Sequence, residues 1–384
     1  MLDGDRMNTW PGKYVIGLTG NIATGKSVVR KMLEHQGAYG MDADALGHRA
    51  IAKDAPGYQL VLNEFGRWIL GPEEQIDRAK LARIVFADPA ALKRLEAIVH
   101  PLVRQAVDIM VRRAPQPIIV IEAIKLLESP LRQACDSLWV TVSPTAVQLK
   151  RLMEKRGMTE EAARQRILAQ PPQEEKIAVA NVVIRNEGSF EDIWRQVQAA
   201  WKAQIPAVME ATPTQPIQAP AGQLVADKGR PKQASEIAAF ITRVTNGQRK
   251  LKAEDIMAAF GEKAYMLLLM DGQVKGLVGW QVENLVARTD EVYLDPNVSI
   301  KEALRLMLRE VEKASRDLQC EASLLFLPFA LARQEEIWRD LSYELRTVQS
   351  LGVRAWQEAA QESPHPNELM LFKQLRKDRI LRPL

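Results

Sequence analysis

A short apolar run, Tyr14 to Thr19, leads straight into Gly20-Asn21-Ile22-Ala23-Thr24-Gly25-Lys26-Ser27, and Val28 to Leu33 continue without a helix breaker. A partly β-branched run of that length reads as a buried parallel strand. The eight residues after it match G-x-x-x-x-G-K-[ST] in full. No other stretch constrains the fold as strongly, because strand, turn and helix must close together around phosphate. Gly20 and Gly25 permit the tight turn that aims backbone N–H groups at phosphate oxygens. The helix opening behind them adds its positive end. Lys26 reaches toward β- and γ-phosphates, and the Ser27 hydroxyl is placed to ligate Mg2+. The whole run from Gly20 through Asn21, Ile22, Ala23, Thr24, Gly25 and Lys26 to Ser27 therefore reads as a nucleotide site.

With 384 residues the chain exceeds the usual size of a single core, so two domains are expected. Five prolines between Pro206 and Pro231, set among Thr, Gln, Ala and Gly, mark a semi-rigid linker. The expected division is residues 1–205, a linker over 206–233, and a second domain over 234–384. Lys and Arg exceed Asp and Glu by 28 to 24 in residues 1–205 and balance at 24 each in 206–384. That excess suits an anionic small substrate and is too weak for a nucleic-acid partner. No apolar run approaches bilayer-spanning length, so no membrane partner is expected. Met1 to Lys13 carry Asp3 and Asp5 and have no apolar centre, so they do not read as a signal peptide. Cys135 and Cys320 offer neither a disulfide framework nor metal-ligand spacing. A cytoplasmic protein is expected; the sequence leaves its oligomeric state open.

Gly37 to Met41 form a second short strand ending at Asp42-Ala43-Asp44. Carboxylates at i and i+2 of a strand point the same way, at the edge where open α/β sheets bind ligands. Asp42 could equally cap a helix beginning at Ala45, and both readings can hold together. Residues 45–113 show helical spacing, interrupted at His100-Pro101, where a lone His usually has a structural role. Ile118 to Ile121 make an apolar strand ending in Glu122, the arrangement in which a strand-end carboxylate organises a Mg2+ shell. Leu138 to Val142 add a strand, with Ser143-Pro144 capping the next helix. That helix carries Lys150, Arg151, Lys155 and Arg156, and a second follows from Thr159. Such charges are usually a solvated face, although paired Arg-bearing helices also suit a phosphate-closing lid. Val182 to Ile184 and the helix Phe190 to Lys202 close this half. Beyond Ala234 the pattern reads as two helices (234–244 and 252–260) and three antiparallel strands (265–270, 275–286 and 290–294). A capped helix from Ser299 to Leu318, a strand (323–327), a helix (330–341) and a strand (368–374) complete it.

From Tyr14 to Trp201 the chain resembles the dephospho-coenzyme A kinase family. The likeness rests on the phosphate loop, Met41-Asp42-Ala43-Asp44, Val99-His100-Pro101-Leu102, Glu122 to Glu128, Leu149 to Arg156, Gln170 and Val183-Ile184-Arg185-Asn186. It implies an α/β P-loop kinase with a parallel sheet, a helical acceptor-binding region and a lid. ATP and dephospho-coenzyme A would be its substrates and Mg2+ its cofactor. By the same resemblance Lys26 and Ser27 serve ATP and Mg2+, and Asp44 accepts the proton of the ribose 3′-hydroxyl. Arg151 stabilises the transferring phosphoryl group, Asp42 and the His100 region belong to the acceptor side, and Glu122 stands in the metal shell at a position the family fills with Asp. The family usually has Gly at positions 21 and 23; Asn21 tolerates left-handed geometry, whereas Ala23 implies ordinary dihedrals. The phosphate loop alone would also suit a kinase of another small hydroxyl acceptor, or a nucleotide-binding regulatory module with a C-terminal effector.

The order of elements after Ala234 resembles the GNAT acetyltransferases, implying an α+β domain of GNAT-like topology. That family grips pyrophosphate with a Gln/Arg-x-x-Gly-x-Gly/Ala loop. Pro296-Asn297-Val298-Ser299-Ile300-Lys301 occupies that place here without a glycine. This implies a degenerate domain that binds a ligand, a partner or the other half of the chain. Residues 1–205 are accordingly expected to function alone.

Overall fold

A computed structural model describes residues 9–205, 222–362, 367–378 and 380–381. The first half alternates strand and helix: β1 (Tyr14–Gly20), α1 (Lys26–His35), β2 (Tyr39–Asp42), α2 (Ala43–Ala50), α3 (Tyr58–Phe65), α4 (Arg78–Ala87), α5 (Pro89–Arg113) and β3 (Ile118–Glu122). It continues with β4 (Ser137–Val142), α6 (Thr145–Arg156), α7 (Glu160–Leu168), α8 (Gln173–Ala178), β5 (Val182–Arg185) and α9 (Phe190–Gln204). The five strands are parallel, in the order β2-β3-β1-β4-β5. Helices cover both faces, which is why the strands read as continuous apolar runs rather than alternating ones. Ile16, Leu18 and Trp139 pack with Met32 and Leu33 of α1 and Val197 of α9. Val15, Ile119 and Val140 pack with Leu46 of α2 and Val107 of α5 on the other face.

This arrangement gathers the chemistry at one edge. β1 is central, so the phosphate loop leaves the sheet in its middle, and register pairs Asp42 and Leu18 with Glu122. Two strand-end carboxylates thus stand beside the loop. α5 runs unbroken through His100-Pro101, against the interruption expected there. Pro101 leaves the Ala97 carbonyl without its helical donor, but His100 and Pro101 are exposed and water can serve that carbonyl.

The second half contains β6 (Val225–Lys228), α10 (Ala234–Val244), α11 (Ala253–Ala259), β7 (Ala264–Met270), β8 (Gln273–Glu283), β9 (Val286–Leu294) and α12 (Ile300–Asp317). Then follow β10 (Ala322–Pro328), α13 (Phe329–Ala332), α14 (Glu335–Leu341), β11 (Glu344–Leu345), α15 (Arg354–Gln361) and β12 (Glu368–Gln374). They build a seven-stranded sheet in the order β11-β12-β10-β9-β8-β7-β6. β9 and β10 pair in parallel, and the other neighbours are antiparallel. Alternation along β7 sends Met266 and Leu268 to the face covered by α12, and Tyr265 and Leu267 to the face covered by α10 and α11.

Several features of this half depart from the sequence reading, including β11 and the division of the helix expected over 330–341 into α13 and α14. β6 lies inside the stretch assigned to the linker and pairs with β7; residues 206–221, which hold most of its prolines, lie outside the described residues. The turn after β8 comes at Asn284-Leu285, several residues before the expected break. α15 was not anticipated, because Ala355, Trp356, Ala359 and Ala360 show helical spacing over little more than two turns. The two halves also share a core: Leu285 and Leu381 are buried in the same cluster as Leu46, Ala106 and Met110.

Candidate active site

The phosphate loop is held from three sides. Gly25 sits at φ 91°, and a Cβ there would lie 1.9 Å from Asn186 Nδ2; Gly20 approaches Thr141 so closely that a Cβ would lie 2.4 Å from its carbonyl oxygen. Only glycine fits either place. Ala23 takes φ 59°, overturning the expectation of ordinary dihedrals. Left-handed backbone costs a residue with a Cβ about 1–2 kcal/mol, and the loop's bonds hold it there. Thr24 Oγ1 bonds to Thr141 Oγ1 at 2.7 Å and to the Asn21 carbonyl at 2.9 Å. Asn21 stays out of the left-handed region and donates its side-chain amide to the Pro171 carbonyl at 2.8 Å. The Ile22 N–H donates to Gln170 Oε1 at 2.7 Å, so the segment after α7 rests directly on the loop.

Lys26 opens α1 and is 8% exposed, its Nζ 3.3 Å from the Asn21 carbonyl. Burial lowers its pKa, opposed by the carboxylates of Glu122, Asp44 and Asp42. Ser27 is exposed, and its hydroxyl donates to Glu122 Oε1 at 2.9 Å. The other Glu122 oxygen accepts from Arg30 Nε at 2.8 Å. The Arg30 guanidinium is held above its usual range, because Glu34 and Glu122 outweigh the opposing, larger single effect of burial. Arg30 was missed in the sequence, although it follows Ser27 by three residues and so shares its helix face.

Asp42 caps α2, accepting from the Ala45 N–H at 2.9 Å, and Asp44 lies in that helix's first turn. The cap reading therefore holds, whereas the strand spacing expected to turn both carboxylates the same way does not form, because β2 ends at Asp42 and Asp44 lies in α2. Asp44 Oδ2 accepts the Ile124 N–H at 2.9 Å, tying it to the end of β3. Burial raises the pKa of Asp44, offset in part by that N–H and by Lys26. Asp42 is raised for the same first reason, with the Ala45 N–H and Arg30 opposing and Asp44 adding to the rise. Lys176 of α8 is 4% exposed and donates to the Ile124 carbonyl at 2.9 Å; burial lowers its pKa, with Lys26 and Asp44 among the charges it feels. In the sequence it stands among Glu174 and Glu175 and looks like part of a solvated charge run.

Arg151 of α6 lies over the loop. Its Nη1 donates to the Ala23 carbonyl at 3.0 Å and to Ser143 Oγ at 3.1 Å, and its Nη2 to Asn186 Oδ1 at 2.7 Å. Ser143 is thus occupied with Arg151 and the Asn186 carbonyl rather than with capping α6, whose cap position is Pro144. His100 stands apart, exposed on α5. Among the described residues, no cluster of three or more His, Cys, Asp or Glu could cage a metal. A magnesium ion carried by nucleotide phosphates needs only one or two protein oxygens, and Ser27 with Glu122 offers that set.

The sequence of this half has relatives. A family model described as "Dephospho-CoA kinase" matches residues 14–192. The dephospho-CoA kinase of Geobacter sulfurreducens is 39% identical over 195 residues, which are 50% of this chain and 99% of that protein. The chain belongs to the dephospho-CoA kinase family. The dephospho-CoA kinase of Geobacter metallireducens is 42% identical over 194 residues, 50% of this chain and 96% of its own. Among solved structures, TT1252 from Thermus thermophilus is 33% identical with a TM-score of 0.46, covering 50% of this chain and 99% of that one. An N-acetyltransferase from Thermoplasma acidophilum, solved with coenzyme A, aligns with 40% of this chain and 99% of its own at 10% identity and a TM-score of 0.31. The kinase relatives thus account for one half of the chain, and the interlocked second half is additional to them.

Proposed function

We propose that this kinase transfers the γ-phosphoryl group of ATP to the 3′-hydroxyl of dephospho-coenzyme A, giving coenzyme A and ADP. The observation that carries the reading is the convergence of Lys26, Ser27, Asp44 and Arg151 on one sheet edge, each held by a named partner. The acceptor oxygen bonds to the γ-phosphorus as the bond from that phosphorus to the β,γ-bridging oxygen breaks, and ADP leaves with that oxygen. Asp44 takes the hydroxyl proton; its raised pKa makes it a better base than an ordinary surface carboxylate. Lys26 and Arg151 neutralise charge on the phosphoryl oxygens, which is most of what such a transfer asks of a protein. Asp42 fixes the start of α2 and hence the position of Asp44. Ser27 and Glu122 would hold Mg2+, which supplies charge neutralisation to the nucleotide phosphates when bound. The helices α6 and α7 act as the lid, and the helical stretch α2 to α5, including the His100 turn, forms the acceptor side.

The catalytic groups all fall in residues 9–205, so this region is the kinase domain, joined through residues 206–221 to a second domain that begins with β6. The reading places the protein in the cytoplasm. That agrees with two free, buried cysteines. Among the described residues, no helix is long and apolar enough to cross a membrane. A coupled assay of ADP release with and without dephospho-coenzyme A tests the function. Release that depends on the acceptor is expected; folded protein without acceptor-dependent release refutes the assignment.

A further inference from the structure

The turn between β8 and β9 holds two consecutive left-handed residues, Asn284 at φ 50° and Leu285 at φ 61°. Asparagine adopts that conformation readily; leucine does so at a cost of about 1–2 kcal/mol. The return is visible in the packing. Leu285 is 7% exposed and belongs to the core cluster of the kinase half. Beside it the Asn284 carbonyl accepts from Arg49 Nη1 at 2.7 Å, and Arg49 Nη2 pairs with Glu321 at 2.7 Å. Lys31 Nζ reaches the Val282 carbonyl at 3.4 Å, and His35 Nε2 donates to the Phe260 carbonyl at 2.8 Å. The hairpin is therefore pinned to α1, which begins with Lys26 and Ser27, and to α2, which carries Asp44.

Its placement encloses space next to the chemistry. A cavity of about 160 Å³ has Ser27, Arg30 and Asp42 on one side and Glu283 and Asn284 on the other. A second, of about 300 Å³, lies between Ser27 and Lys31 on one side and Gln281 and Glu283 on the other. A third, of about 350 Å³, continues from Ala45 and Arg49 past His48 and Arg78, with Asn284 and Glu362 opposite. The three are neighbours: Ser27 and Glu283 line both of the first two, and Ala45, Arg49 and Asn284 line both the first and the third. Glu283 is exposed and lines both compartments that touch Ser27.

We infer that the hairpin tip Gln281–Leu285 of the C-terminal domain is one wall of the acceptor site, with Glu283 facing the nucleotide end of the bound acceptor. An acceptor whose hydroxyl meets the Asp42–Asp44 edge carries a diphosphate and a long amide-bearing arm, and it needs a polar groove that extends away from the phosphate loop. The row of adjacent cavities along α2 offers such a surface, lined by groups of both signs, and about half of its lining comes from the second domain. That domain thus sets acceptor binding in the kinase reaction, a role that relatives matching only the first half cannot share. The inference rests on the kinase reading, and the test keeps the two apart.

Glu283→Trp in the full chain fills the smaller cavity from an exposed position, so the fold should persist. With both substrates varied separately, the KM for dephospho-coenzyme A should rise tenfold or more, with the KM for ATP within twofold of wild type and the melting temperature unchanged. A KM for the acceptor within twofold of wild type overturns the inference, and so does an equal rise in both KM values. Amide hydrogen exchange of the wild-type chain adds a readout free of substitutions. Dephospho-coenzyme A alone should slow exchange at residues 281–285, and unchanged exchange there overturns the wall. If wild-type protein shows no acceptor-dependent ADP release, the kinase reading fails instead.

Discussion

Glu321→Gln tests how firmly the two halves are joined. Arg49 is 9% exposed and Glu321 1%, with Nη2 and Oε1 2.7 Å apart. At that separation two charges in a protein-like effective dielectric attract by about 4 kcal/mol or more, much of it offset by desolvation in the intact pair. Removing one charge leaves the other buried and uncompensated, a loss of about 3–5 kcal/mol in comparable pairs. Arg49 keeps the Asn284 carbonyl, and the Gln amide oxygen can still accept one bond, so the lower end, about 3 kcal/mol, applies. For a unit of 150–250 residues each kcal/mol lowers the melting temperature by about 2–4 °C, giving a drop of about 6–12 °C in differential scanning calorimetry. Lys301→Ala is the control: Lys301 is 46% exposed and pairs with Glu336 and Asp340, a contact worth less than about 1 kcal/mol. A Glu321→Gln protein that melts no lower than the Lys301→Ala protein would refute the reasoning. The same interface revises the expectation that residues 1–205 function alone: cut at the linker, they should show weakened acceptor binding even where the fragment folds, measurable as a raised KM for dephospho-coenzyme A.

Lys26→Ala should lower turnover by about 10²-fold or more in a steady-state assay, since it removes a preorganised charge from the transferring phosphoryl group, while circular dichroism stays native. Asp44→Asn should lose roughly 10²–10⁴-fold as a base is removed. In the wild-type chain the acid limb of kcat/KM should lie above the ordinary carboxylate range, because burial raises the Asp44 pKa and activity is lost as pH falls through that raised value. Ala23→Gly should stabilise the protein by about 0.5–1 kcal/mol, since relief of left-handed strain of about 1–2 kcal/mol exceeds the added chain entropy of glycine; denaturant titration measures it. His35 has a pKa lowered from 6.5 chiefly by burial, with its bond to the Phe260 carbonyl opposing. Unfolding therefore takes up a proton below about pH 6.5, so the stability present above that pH falls as pH drops, and His35→Gln should flatten that slope in melts between pH 7.5 and 5.5.

Local chemistry made the first half readable. The phosphate loop dictates strand, turn and helix at once, and β3 announces itself as an apolar run ended by an acid. The limits appear where a conformation depends on distant partners. Nothing near Ala23 signals a left-handed backbone; that follows from Thr24, Asn21 and Arg151 bonding around it. Lys176 joins the site because α8 folds back on the end of β3, a contact 52 residues away in sequence. Asn284-Leu285 makes a poor turn signal because leucine is unsuited to the conformation, and only burial against the kinase core explains its presence there.

Apart from the added β6, β11 and α15, the second half follows the expected order of helices and strands, and its loop after β9 is built around a carboxylate. Asp295 is 3% exposed and accepts from Arg243 at 3.0 Å and from the Asn297 N–H at 3.1 Å. Ser299 then caps α12 by accepting from the Glu302 N–H. The Asp295 carboxylate is thus already engaged by Arg243 and by the backbone of its own turn. The opposite end of the same strand pair, the β8–β9 turn, is the end that enters the kinase. Leu285, held in left-handed backbone and buried among kinase-half residues, is where this domain meets α2.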